Sequence, residues 1–224
     1  TLLVALPFSP LLIGCVLRFL IPFITLFLKS KFGFDLLPYY DLIMGFMIMV
    51  TPMLYGFVIG FLLLDDRDEG LFNSISVTPI GKTGYLTYKL TLPVVTSFIF
   101  TYLMIIIGGI IKIDYFYLLP VALMSSLEAP LWALTIAAFS SNKIEGLAFA
   151  KGLGVLFVAP IAGYFVTSPL GLFFGIIPPY WIIKSFISIG KDLESYLFYA
   201  ICGIVSHIVY LFILVKFFNK KIEG

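Results

Sequence analysis

Long apolar runs separated by short polar breaks make up most of this chain, and the runs exceed the length of ordinary core helices. About 20 mostly apolar residues, rising roughly 1.5 Å each, cross the roughly 30 Å of a bilayer's hydrocarbon. Six stretches meet that length: 6–28, 41–64, 85–111, 115–139, 146–166 and 193–217. The first three stop at charge, at Lys29-Ser30-Lys31, at Asp65-Asp66-Arg67-Asp68-Glu69, and at Lys112 with Asp114. A further run, 171–187, carries Pro178-Pro179 at its centre. Two prolines there remove backbone donors and clash with the preceding turn, and unsatisfied backbone cannot face lipid. The run therefore predicts two short half-helices, a re-entrant hairpin dipping into the outer interface before the last crossing. Tyr180, Trp181 and Lys184 are then expected at headgroup level. An aromatic-rich loop is the plainer alternative.

Composition agrees. Of 224 residues, 61% are hydrophobic and 12% charged, against roughly 25% charged in soluble domains. Such a chain cannot coat a water-facing surface. The expected fold class is an all-α, multi-pass protein of the cell membrane, with residues 1–224 as one transmembrane domain. Two cysteines and a net charge of +2 exclude a disulfide scaffold and a nucleic-acid binder. The chain begins at Thr1 without a charged n-region or a small-residue cleavage site, so its start is read as truncated rather than as a signal peptide.

Lysine and arginine near the crossing ends set the expected orientation. With both termini inside, the inner side collects Arg67, Lys82, Lys89, Lys143, Lys151, Lys216, Lys220 and Lys221, and the outer side Lys29, Lys31, Lys112, Lys184 and Lys191. That bias favours N-in and C-in.

The longest polar stretch, 65–84, lies between the second and third crossings. Its leading acids suit a helix N-terminus through the macrodipole. Leu71, Phe72 and Ile75 then share one helical face, and Thr78-Pro79 ends the turn. A short amphipathic cytoplasmic helix over 66–77 follows, whose apolar face must rest on headgroups, on its own bundle or on another subunit.

The string LLLDDRDEGLFNSISVTPIGKTGYLTYKL (62–90) resembles the signature of type-2 ABC exporter permeases. SSNKIEGLAFAKGLG (140–154) resembles the loop before that family's fifth helix, and IIPPYWIIK (176–184) its outer re-entrant segment. Three motifs in order cover most of the chain, and the nearest subgroup is the fluoroquinolone-export permeases. The resemblance implies a half-transporter that pairs with a second permease copy, as homodimer or heterodimer, in membrane lipid. A separate ABC ATPase subunit, holding ATP and Mg, docks beneath each, so this chain itself carries no cofactor. It implies that 66–77 is the coupling helix, with Asp66, Glu69, Gly70, Leu71, Phe72, Ile75, Thr78 and Pro79 as coupling residues. Leu71, Phe72 and Ile75 suit the helix-in-groove mode of recognition. The family's interface helix ahead of the first crossing would precede Thr1.

Other chemistry lacks its parts. Gly81-Lys82-Thr83 imitates the end of a P-loop, but position 76 is Ser and Pro79 sits inside the loop. One histidine, His207, cannot make a zinc pair, so neither a metal site nor a catalytic residue is expected. Cys15 and Cys202 lack metal-ligand spacing and read as small apolar residues. The acids at 65–69 lack the spacing of a metal-dependent phosphotransferase.

Arg18, Glu128 and His207 fall within crossings, where ionisable groups must face the interior and be paired. Arg18 and Glu128 lie at similar estimated depth and are expected to pair or to line a polar part of the path. A register-fixing ion pair is the structural alternative, and His207 is expected to be packed and hydrogen-bonded. Gly56 and Gly60 permit close helix approach, within the bundle first and at a subunit interface second. Pro22, Pro52, Pro93, Pro130 and Pro160 should kink their helices, whereas Pro7 and Pro10 fall near enough to a helix start to be tolerated. The implied mechanism is alternating access along an apolar path for a hydrophobic or amphipathic cargo such as a drug, peptide or lipid. Met49, Tyr55, Phe157 and Tyr164 are expected to line it. The competing class is an ion-coupled secondary transporter with Glu128 as proton site, but that class favours repeated broken helices in two halves, and no repeat relates 1–112 to 113–224.

Overall fold

The computed structural model describes residues 8–166 and 168–223. Residues 6 and 7 of the first expected crossing, Pro7 included, lie outside them. No strand occurs among the described residues, and six helices are long and apolar enough to cross a membrane. They are α1 (Ser9–Phe32), α2 (Tyr40–Asp68), α4 (Gly81–Gly108), α5 (Leu118–Phe139), α6 (Lys143–Phe165) and α8 (Leu193–Glu223). Two shorter helices complete the bundle, α3 (Leu71–Ser76) after α2 and α7 (Pro179–Ser188) before α8.

The centre of the bundle is α5. It lacks a polar face, which is the pattern of a helix enclosed by others, and most of its side chains are buried. α2, α4, α7 and α8 pack around it. The closest approach is to α2. A Cβ on Gly56 would stand 2.5 Å from both the Ala129 carbonyl oxygen and the Trp132 Cβ, and one on Gly60 3.1 Å from the Ala133 oxygen. The small-residue pair thus serves packing inside the bundle, the first of the two uses expected from the sequence.

Prolines leave distinct marks. Pro52, Pro93 and Pro130 sit inside continuous helices. Pro52 frees the carbonyl of Ile48, four residues back, and the Ser125 hydroxyl of α5 donates to that oxygen at 3.1 Å. Elsewhere the helix changes pitch one turn ahead of the proline. In α1 a wide π turn occupies Val16–Leu20 before Pro22, and in α6 a tight 3₁₀ turn occupies Gly154–Phe157 before Pro160. Each places the residue whose carbonyl the proline ring would strike, Arg18 or Leu156, outside α geometry.

The run at 171–187 divides at its prolines into a 3₁₀ segment, Pro169–Ile176, and α7. Pro179 falls in the first turn of α7, where its missing N–H costs nothing. One expectation is corrected here. Tyr180 and Trp181 lie inside the protein, 1% and 9% exposed, because α7 packs against α2, α6 and α8. The Trp181 indole N–H finds its acceptor in the Gly175 carbonyl at 2.8 Å. At this end Asp192 accepts from the backbone N–H groups of Glu194 and Ser195, both at 3.2 Å, and caps α8. Hydrogen bonds from Ser195, side chain first and backbone second, hold the Asp192 carboxyl below the usual carboxylate range. Lys191 pairs with Asp41 at the start of α2.

Candidate functional site

The polar segment after α2 folds differently from its pattern. Asp65 to Asp68 form the last turn of α2 rather than the first turn of a new helix. Acids oppose the macrodipole there, and cations from neighbouring helices hold them. Asp65 bridges to Lys143 of α6 at 2.8 Å. Asp66 accepts from the Tyr85 hydroxyl at 2.9 Å and pairs with Lys89, both on α4.

Arg67 points to a third neighbour. Its guanidinium donates to the carbonyls of Ala137 at 3.0 Å and of Ser140 and Ser141 at 2.8 Å. Lys221 of α8 adds bonds to Ala138 at 2.7 Å and Ser140 at 2.9 Å. Two cations thus satisfy the orphan carbonyls at the C-terminus of α5. The motif at 140–154 continues this joint. The Asn142 side chain accepts from the Glu145 N–H at 3.0 Å and caps α6, and Glu145 accepts from the Ser141 N–H at 2.6 Å.

Gly70 takes φ +70° and ends α2 in the left-handed conformation that glycine favours. Glu69, at the cap of α2, is exposed. α3 then runs only from Leu71 to Ser76, shorter than the expected 66–77. Phe72, expected to reach into a partner's groove, turns the other way. It is 3% exposed and meets Tyr85 and Phe218 edge-on, each at 5.8 Å, within a cluster that includes Leu63, Leu86 and Leu134. Leu71 and Ile75 are half-buried. The exposed apolar side chains are Val77 at 88% and Ile80 at 68%, neither of which belongs to the apolar face drawn through Leu71, Phe72 and Ile75. Val77 and Ile80 flank exposed Thr78 and Pro79. The Thr78 hydroxyl and N–H both donate to the Ile75 carbonyl, at 2.7 and 2.9 Å, which fixes the turn.

The expected Arg18–Glu128 pair does not form. Arg18 is exposed and donates to the Ile107 carbonyl at 3.3 Å, in the last turn of α4, where a cation complements the dipole. Equal counting from helix ends misled because α1 is offset along α4, with Gly14 against Met104 and Ile107. Glu128 pairs instead with His207 of α8, Oε1 to Nε2 at 3.0 Å, both buried. His207 Nδ1 lies 2.7 Å from the Gly203 carbonyl.

A groove of about 380 Å³ opens on the flank of the bundle between α5 and α8, lined by Glu128, Leu131, Trp132, Leu156, Pro178 and Ile213 among others. Pro178 and Pro179 form part of its wall. None of the four residues expected to line a path reaches it. Met49 and Tyr55 are buried in the core, and Phe157 is committed to stacking on Trp132 at 5.7 Å. Tyr164 bonds the Pro38 carbonyl at 3.1 Å at the end opposite α3. No cluster of three or more His, Cys, Asp or Glu suited to a metal occurs among the described residues.

A family described as fluoroquinolones export permease protein Rv2686c-like matches residues 1–215. Two relatives from Mycobacterium tuberculosis, fluoroquinolones export permease proteins MT2760 of strain CDC 1551 and Rv2686c of strain H37Rv, are each 31% identical over 98% of this chain and 88% of their own length. No solved structure matches significantly. A match across nearly the whole chain, on six crossings of the expected order, establishes that this protein belongs to the Rv2686c-like family of fluoroquinolones export permeases.

Proposed function

We propose that this permease is the membrane subunit of an ATP-driven exporter, and that the α3 tip is where a separate ATPase docks. The supporting observation is the contrast at that tip. α3 is pinned to its own bundle through Phe72, while the turn beside it presents exposed Val77, Thr78, Pro79 and Ile80. A pinned element with an exposed apolar tip passes on a push instead of absorbing it. On this reading the α3 end and the C-terminus face the cytoplasm, and 169–188 enters the bundle from the outer side. ATP and magnesium are held by the partner. Two permease copies rearrange between inward and outward access, and the cargo is hydrophobic or amphipathic, as the relatives' names suggest. The coupling residues change accordingly: Val77 and Ile80 take the contact role, Phe72 and Asp66 the anchoring role.

The test is Val77→Asp with Ile80→Asp in the complex with its ATPase. Co-purification and transport-coupled ATP hydrolysis should fall at least tenfold, as for loss of anchor side chains at an interface, while membrane insertion is unchanged. Normal hydrolysis and transport in that variant would reject the docking site. Transport in vesicles that hold no nucleotide would instead favour the ion-coupled reading.

A further inference from the structure

The groove between α5 and α8 holds a carboxyl group in an otherwise apolar wall. Tyr210 also lines it, but its hydroxyl is spent on the Ile176 carbonyl at 2.6 Å. Leu156 of α6 and the turn at Ile176 to Pro179 contribute no titratable group. The charged residues of α2 lie at its ends, Asp41 and Asp65 to Asp68, and those of α4 in its first third, Lys82 and Lys89. Tyr55 of α2 and Tyr180 and Lys184 of α7 are further titratable groups on elements packed against α5, and the hydrogen-bond partner of Glu128 among the described residues is His207.

The proton count of that pair follows from its bonds. A backbone carbonyl can only accept, so His207 Nδ1, at 2.7 Å from the Gly203 oxygen, carries a hydrogen. The 3.0 Å contact between Nε2 and Glu128 Oε1 then requires one further proton. Either the carboxylic acid donates it to a neutral ring, or the imidazolium donates it to the carboxylate. Both forms are neutral overall. Removing that proton with nothing in its place would leave a negative charge buried in apolar surroundings.

We propose that the groove is a binding site for lipophilic organic cations, and that each cation bound displaces the proton shared by Glu128 and His207. The exchange balances: the cation enters, one proton leaves to water, and the site stays neutral. Trp132 supplies a second, independent pointer. Its aromatic ring lines the groove alongside Glu128. Aromatic surface beside a carboxylate is the usual chemistry for holding an organic cation. Charge complementarity thus favours a cation over a lipid acyl chain, which would leave the carboxyl without purpose. This assigns a cargo class to the exporter proposed above and rests on that reading only for transport, since binding itself requires no ATPase.

The probe is tetraphenylphosphonium, whose charge does not titrate, with neutral triphenylphosphine oxide as control. The chain has two tryptophans, so Trp181→Phe leaves Trp132 as the fluorescent reporter in purified full-length protein. Quenching by the cation should strengthen as pH rises, as loss of one proton on binding demands. One proton per cation should appear in weakly buffered solution. Glu128→Gln, which can still bond His207, should weaken cation binding at least tenfold and abolish the pH dependence. Ile213→Phe, which fills the groove without touching the pair or adding a tryptophan, should block the cation even if Glu128→Gln fails to fold. Equal, pH-independent binding of both probes would show an apolar seat for lipid and overturn the proposal. So would unchanged cation binding in either groove variant. Failure of the ATPase to dock would leave every one of these titrations as predicted.

Discussion

Ser125 shows how much a single hydroxyl contributes in this bundle. Pro52 leaves the Ile48 carbonyl without its helical donor, and Ser125 supplies one across the α2–α5 contact. A buried carbonyl stripped of its partner costs about 1–3 kcal/mol. Ser125→Ala should lower thermal stability in detergent by that order, whereas Thr135→Ala should not, because the Thr135 hydroxyl bonds its own helix at Leu131. Residue roles were the least legible feature of the sequence. Helical periodicity correctly grouped Leu71, Phe72 and Ile75 on one face but could not say whether that face looks inward. Phe72 is buried because Tyr85 and Phe218 meet it from α4 and α8, and neither neighbour is visible from local spacing. Arg18 was misassigned for the same reason, since depth counted from helix ends ignores the offset of α1.

At the scale of elements, helix ends carry the electrostatics. The C-terminus of α5 is closed by Arg67 from one side and Lys221 from the other. Arg67→Ala should destabilise the protein by about 2 kcal/mol, because several carbonyls lose a charged donor at once. Lys221→Met should cost less, since Arg67 still reaches Ser140. Thermal unfolding of the two variants checks the order. At the opposite end, Asp192 caps α8 with a carboxyl held below its usual range. A depressed folded-state value means stability that is present above the unfolded value, near about 3.9, and lost as pH falls through the folded one. The stability gap between the natural chain and Asp192→Ala should therefore be full at neutral pH and close in acid. Lengths and composition made the crossings legible, and Pro178-Pro179 made the split between the 3₁₀ segment and α7 legible. The acids at 65–68 misled, because the same residues suit the start of one helix or, with cations supplied from elsewhere in the chain, the end of another.

The whole bundle was readable to the extent that solvent dictates it. A chain with 12% charge has to pass through lipid, and six runs of adequate length fix how often. Which crossing sits in the middle was written only faintly, in the absence of a polar face on α5. The groove and the Glu128–His207 contact needed the fold itself, because the two residues are 79 positions apart. The end of α2 carries a mechanical implication of its own. Successive residues on a helix point about 100° apart, so Asp65, Asp66 and Arg67 fan out to α6, α4 and α5. Twisting that end to slacken one tether tightens another. The chain has no soft spot there in which a nudge could die away, so any displacement delivered to the tip must travel as a single step into half of the crossings together.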